Sequence, residues 1–174
     1  MKIEFQKCGE EHLDTLVEIS KATFIAAFKD QNNPDDFDRY ISQAFSRQRL
    51  YTELMNPESV FYFVFGKGEL VGYFKLNTND AQTDIKLPES MELERIYVLH
   101  NFQGNGLGEM IVEKAKKMAK DLKKSFLWLG SGKRTKGPFS FMKGKISISS
   151  EHILITLGMI NRPIGSCVQT FKNK

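Results

Sequence analysis

Residues 92–122, E-L-E-R-I-Y-V-L-H-N-F-Q-G-N-G-L-G-E-M-I-V-E-K-A-K-K-M-A-K-D-L, constrain this chain more than any other stretch. Leu93, Ile96 and Val98 belong to a short apolar, β-branched run, which predicts a buried strand. Gln103-Gly104-Asn105-Gly106-Leu107-Gly108 follows, with glycine at every second position. Leu107, Ile111, Ala115, Met118 and Leu122 then recur at helical spacing, with lysines between them. A strand, a glycine turn and an amphipathic helix in that order build an anion site. Glycine lets the backbone take φ > 0 and approach a phosphate closely. The first-turn N–H groups of a helix have no internal partner and point at the ligand, and the helix dipole adds to the attraction.

The remaining chain reads as strands and helices in a definite order. Residues 2–7 alternate, with Ile3 and Phe5 inward, and predict a first strand. Gly9, Glu10, Glu11 and His12 lead into a helix bearing Leu13, Leu16, Val17, Ile19, Phe24 and Phe28. His12 is expected on the surface, with no chemistry. Residues 30–34, D-Q-N-N-P, break that helix, and a second helical stretch is expected from about 34 to 55. Residues 59–65, S-V-F-Y-F-V-F, are strongly β-prone, and Gly66-Lys67-Gly68 turns them into a partner strand over 70–76. Residues 77–89 are polar, contain Pro88 and predict a surface loop. After the glycine loop and its helix, residues 125–129 predict a strand parallel to the central one through a helix crossover.

The glycine loop is of a particular kind. No Gly-Lys-Ser/Thr follows, so it is not a P-loop, and its G-x-G-x-G spacing is not the dinucleotide G-x-G-x-x-G. It does match Gln/Arg-x-x-Gly-x-Gly/Ala at Gln103, Gly106 and Gly108. With the preceding Leu93-Glu94-Arg95-Ile96-Tyr97-Val98, the stretch resembles the GCN5-related N-acetyltransferases (GNAT). It is most similar to the bacterial spermidine/spermine N-acetyltransferases, on I-Y-V-L-x-x-x-Q-G-N-G-L-G and L-W-L-G. The resemblance implies one α/β domain over residues 1–174, of the mixed α+β acyl-CoA acyltransferase fold. A central mixed, twisted sheet would be flanked by helices. It also implies acetyl-CoA as co-substrate, held by Gln103, Gly104, Asn105, Gly106, Leu107 and Gly108. Backbone groups of Ile96, Tyr97 and Val98 would take the pantetheine arm as an added strand, and an N–H there would polarise the thioester carbonyl.

Acetyl transfer also needs a proton acceptor, because an alkyl amine with a pKa of about 10.4 is mostly protonated at neutral pH. Glu92 and Glu94 alternate on one face of the central strand, with Met91, Leu93 and Arg95 on the other. Glu94 is the first candidate base and Glu92 the second; the competing reading has both solvated or paired with Arg95. Asp30, Asp35, Asp36 and Asp38 cluster between the first two helical stretches, the region that covers the substrate side in the family. Such a cluster would draw a polyamine, or simply cap and solvate helix starts.

Charge and cysteine content narrow the field. Of the net +4, residues 131–174 hold +7, with eight Lys/Arg against Glu151 alone, so the first 130 residues carry −3. A uniform basic face for nucleic acid is not indicated, and a nucleic-acid-binding regulator relying on the basic tail is a rival reading. Cys8 and Cys167 give no disulfide framework, and a reducing cytoplasm is the simpler location. No metal-ligand spacing, membrane span or signal peptide is visible. A small amine is the expected partner, with no nucleic acid and no membrane; a homodimer is one assembly open to the chain, and the sequence does not fix the oligomeric state.

The resemblance covers residues 1–130 and stops abruptly. The family then places W-E-x-N-x-x-A-I-x-F-Y, whose Asn touches CoA and whose Tyr protonates the departing thiolate. Here stands S-G-K-R-T-K-G-P-F-S-F-M-K-G-K. Reading the last base of each codon with the first two of the next, Met142-Lys143 must give glutamate and Met159-Ile160 aspartate. With permitted codons, residues 131–143 yield W-E-K-N-E-R-A-I-Q-F-Y-E and residues 156–164 yield F-G-D-D-K-Q-T-D. Both are the missing family pieces, so residues 131–174 read as frame-shifted. If the tail is genuine, the family's last helix and final hairpin are not encoded, although residues 153–157 have the β-propensity for one strand. His152 and Cys167 would then carry no function. The alternative function is a CoA-binding but catalytically impaired protein.

Overall fold

The computed structural model describes residues 2–29, 33–130, 146–148 and 152–157. In chain order these form β1 (Ile3–Lys7), α1 (Leu13–Phe28), α2 (Pro34–Ala44), α3 (Arg47–Leu54), β2 (Ser59–Gly66) and β3 (Glu69–Thr78). There follow β4 (Ser90–Val98), α4 (Leu107–Asp121), β5 (Phe126–Gly130), β6 (Ile146–Ile148) and β7 (His152–Thr156). The architecture is the mixed α/β one expected. Asp30, Cys167 and residues 131–145 lie outside the described residues.

The chain divides into two compact units. The first holds Met1–Asn77 and Arg95–Gly108, the second Thr78–Glu94 and Glu109–Lys174. Strand β4 and helix α4 each begin in one unit and end in the other.

In the first unit the strand order is β1-β2-β3-β4. β1 runs antiparallel to β2 from Ile3↔Gly66 to Lys7↔Tyr62, and β2 antiparallel to β3 from Ser59↔Asn77 to Gly66↔Glu69. Alternation explains β2: Phe61 and Phe63 point into the core, while Tyr62 stacks on Phe74 at 5.2 Å on the other face. The core gathers Leu13, Leu16 and Ile19 of α1, Phe37 and Ile41 of α2, Leu50 of α3, and Phe61, Phe63 and Tyr73.

In the second unit the order is β4-β5-β7-β6. β4 and β5 are parallel, as the helix crossover requires, in register from Ser90↔Phe126 to Glu92↔Trp128. β4 then continues to Val98. β7 pairs antiparallel with both β5 and β6. Ile85, Phe126, Trp128 and Leu154 form this unit's core cluster.

Several expectations need correction. The single helix over 34–55 is two, because Phe45 leaves helical geometry and the Ser46 hydroxyl caps α3 by accepting from Arg49 N–H at 3.3 Å. The loop over 77–89 is not wholly at the surface: Asn77 belongs to β3, and Asn77, Gln82 and Ile85 are buried. A final hairpin does exist, since β6 and β7 pair after the sequence has left the family pattern. Leu122, expected to close the apolar stripe of α4, lies past the helix and is exposed.

Candidate functional site

The turn before α4 has the geometry its glycines allow. Gly104 and Gly106 sit at φ +77° and +73°, a region that costs an L side chain about 1–2 kcal/mol. A Cβ built on either would meet nothing within 4 Å, so the backbone conformation demands these glycines and crowding does not. Residues 103–106 are all exposed, whereas Leu107 is buried and anchors the start of the helix. Side chains fold back to brace the turn. Gln103 Nε2 donates to Val98 O at 3.0 Å, and Asn105 Nδ2 to Phe102 O at 3.1 Å and Gln103 O at 3.3 Å. The turn that leads into α4 is therefore exposed and braced, a backbone arrangement of the kind that suits an anion.

Ile96, Tyr97 and Val98 are half-buried at the end of β4. The Leu99 N–H donates to Val71 O at 2.8 Å, tying the strand end to β3. Gly72 makes that approach feasible, since a Cβ there would run into the Tyr97 carbonyl oxygen. The Tyr97 ring stacks on Tyr73 at 5.6 Å. The Val98 carbonyl is engaged by Gln103, so only part of the expected backbone edge is available.

The two candidate carboxylates have different surroundings. Glu92 is only 2 % exposed, and its carboxylate accepts the Thr83 N–H at 2.8 Å and the Thr83 hydroxyl. Glu94 is half-buried. The expected alternation, acids on one face and apolar residues on the other, does not produce a wet face at Glu92: Met91, Glu92 and Leu93 are all buried, because both sides of this part of β4 are covered.

Arg95 pairs with a residue that sequence reasoning missed. Its Nη2 lies 2.9 Å from Glu53 Oε2, and Lys75 Nζ lies 2.9 Å from the same oxygen. Arg49 Nε donates to Glu53 Oε1 at 3.1 Å. The Lys75 ammonium sits 5.4 Å from the Phe61 ring centre, and the Arg95 guanidinium 5.6 Å from that of Phe45. Burial alone would raise the Glu53 carboxyl, but the charges of Arg95 and Lys75 and the hydrogen bonds from Lys75 and Arg49 outweigh it and hold it low. A signal was available for Lys75, a lysine inside the apolar run V-G-Y-F-K-L; none was available for Glu53 on a polar helix.

The other expected residues play quieter parts. Asp35, Asp36 and Asp38 are exposed in α2, whose start is capped by Asn33 Oδ1 accepting from Asp35 N–H at 3.1 Å. His12 is half-buried: its Nδ1 accepts from Gly9 N–H at 2.9 Å, and its ring meets Phe63 edge-on at 5.7 Å. It closes the first helical turn. Cys8 is buried, and burial pushes its thiol up to about 12. Among the described residues, no group of three or more His, Cys, Asp or Glu could hold a metal, and no helix is long and apolar enough to cross a membrane.

Comparison with known proteins agrees with this geometry. The sequence model of the acetyltransferase (GNAT) family matches residues 13–135. An uncharacterized N-acetyltransferase from the pepI 3' region of Lactobacillus delbrueckii subsp. lactis is 32% identical over 154 residues, 88% of this chain and 89% of that protein. The spermidine N(1)-acetyltransferase of Thermoplasma acidophilum is 23% identical over 124 residues, 69% of this chain and 72% of that one. Among solved structures, the PaiA N-acetyltransferase of Thermoplasma acidophilum in complex with coenzyme A is similar, with a TM-score of 0.69 at 21% identity. That match covers 88% of this chain and 98% of the other.

Proposed function

The chain belongs to the acetyltransferase (GNAT) family and is an acetyl-CoA-dependent N-acetyltransferase; on that premise we propose that it acetylates a primary amine of a small molecule, with a polyamine of the spermidine kind as the first candidate. The observation that supports the reading is the open turn at Gly104 and Gly106, whose positive φ values and uncrowded surroundings leave its backbone accessible ahead of α4. Acetyl-CoA supplies an acyl carbon already activated as a thioester. The residues of the chain would do the rest. Amides of residues 104–108 hold the pyrophosphate. The β4 ladder with β5 ends at Glu92, and the strand runs on through Ile96, Tyr97 and Val98, so its further backbone can accept the pantetheine arm as a neighbouring strand. Glu94 takes the proton of the attacking amine as the new C–N bond forms and the C–S bond breaks. The departing thiolate then takes a proton from solvent.

The polyamine choice is supported by the relative whose name carries spermidine and by three exposed acids on α2, Asp35, Asp36 and Asp38. A second reading is favoured by the tail, which lacks the family's Asn and Tyr: coenzyme binding with impaired turnover. Calorimetry with CoA beside an acetylation assay with spermidine, spermine and simple alkyl amines separates the two. Binding with turnover supports the enzyme, and binding with no turnover of any amine supports the second reading. Absence of CoA binding refutes both.

A further inference from the structure

The segment leading into β4 contains a buried polar cluster that the acetyl-transfer reading does not use. Gln82 is 1 % exposed, and its amide is fully committed. Its Nε2 donates to Asn79 O and Leu87 O, each at 3.3 Å. Its Oε1 accepts from Ser90 Oγ at 2.7 Å and from Trp128 Nε1 at 2.8 Å. Next to it Thr83 donates both its N–H and its hydroxyl to the Glu92 carboxylate. One short run, residues 82–90, is thereby fastened to β4 at Ser90 and Glu92 and to β5 at Trp128.

The location gives the cluster a purpose. Glu92↔Trp128 is the last pair of the parallel ladder, and Glu94 follows two residues later on the same strand. With the two-residue period of a strand, Glu92 and Glu94 project to the same side. Whatever holds Glu92 therefore sets the direction in which Glu94 leaves the ladder. The carboxylate of Glu92 already accepts two hydrogen bonds from Thr83, and at 2 % exposure Glu92 meets no solvent-borne amine. It is poorly suited to be a base and well suited to be an anchor.

We propose that Glu92 is a positioning residue, clamped by Thr83, which fixes β4 so that Glu94 alone receives the amine proton. This rests on the acetyltransfer reading of the site. It divides two neighbouring carboxylates by environment: one is locked into the packing, and the other is placed for chemistry.

The test is steady-state kinetics of the whole chain with acetyl-CoA and the best amine found, across pH, for wild type, Thr83→Val, Thr83→Ser, Glu92→Gln and Glu94→Gln. Thr83→Val keeps the shape of the side chain at an exposed position and removes only the hydroxyl, so folding should persist where Glu92→Gln could fail. It should lower kcat about tenfold, the kinetic equivalent of one hydrogen bond to a charged group. KM for acetyl-CoA and the shape of the pH profile should stay unchanged. Thr83→Ser should restore the rate. Glu94→Gln should abolish the ionisation on the acidic side of the profile. Wild-type kcat in Thr83→Val, or an acidic limb that survives Glu94→Gln and vanishes in Glu92→Gln, overturns the assignment. A wild type that acetylates no amine overturns the enzymatic reading itself, and this inference with it.

Discussion

Gly106 offers a clean separation of backbone strain from ligand contact, because the protein carries its own control. Gly106 has φ +73° in the turn before α4, and Gly68 has φ +85° in the β2–β3 hairpin. A Cβ on either meets nothing within 4 Å, so alanine adds strain without collision at both places. Holding alanine in that region costs about 1–2 kcal/mol, and both Gly106→Ala and Gly68→Ala should lose about that much unfolding free energy in urea. The two should part in calorimetry with CoA. At the hairpin the strain has no route to the coenzyme, and Kd should not move. At the turn the backbone relieves strain by swinging an amide away. Losing one charge-assisted hydrogen bond to a phosphate oxygen, about 1.5–3 kcal/mol, weakens binding roughly 10- to 150-fold. Gly106→Asn should fall between, since asparagine tolerates this region better than alanine. Equal Kd for wild type and Gly106→Ala, with the stability loss present, would show that these amides do not grip the coenzyme.

Three further outcomes are expected. Glu53→Gln removes a carboxylate bound by Arg95, Lys75 and Arg49, and should cost about 2 kcal/mol at neutral pH. The folded carboxyl of Glu53 is held below its ordinary 4.5. Its contribution is thus complete above that pH and lost as pH falls through the lower folded value. Urea midpoints of wild type and variant should differ from about pH 6 to 8 and draw together as pH falls below 4.5; a gap that does not narrow on acidification refutes this. With its thiol pushed to about 12, Cys8 should be alkylated at pH 8 about a thousandfold more slowly in the native protein than in urea, read by peptide mass. Fast native labelling at Cys8 contradicts the burial. The frame-shift hypothesis predicts that the gene, resequenced from its source, restores W-E-K-N-E-R-A-I-Q-F-Y-E after Gly130; an intact natural protein with the mass of the present sequence ends it.

What was legible in the sequence, and what was not, divides along a physical line. The glycine turn and its helix could be read because they are made of local backbone: Gly104 and Gly106 need only their own φ, and α4 needs only its own period. The parallel β4–β5 pair could be read because a helix crossover dictates it. The break between α2 and α3 was hidden, because apolar spacing continues across Phe45 and only Ser46 marks the cap. The interactions that decide the carboxylates were not legible at all. Glu53 meets Arg95 across 42 residues, and Gln82 meets Trp128 across 46. Such pairs follow from strand register, where a slip of one residue would send Arg95 or Glu92 to the opposite face. The same logic separates the two carboxylates by their surroundings. Composition treats Glu92 and Glu94 alike, as two acids one period apart on one strand. Register places Glu92 opposite Trp128 and beneath Thr83, inside the packed cluster, and carries Glu94 past the end of the ladder. Their surroundings differ, one buried and one half-buried, because the β4–β5 ladder stops between them.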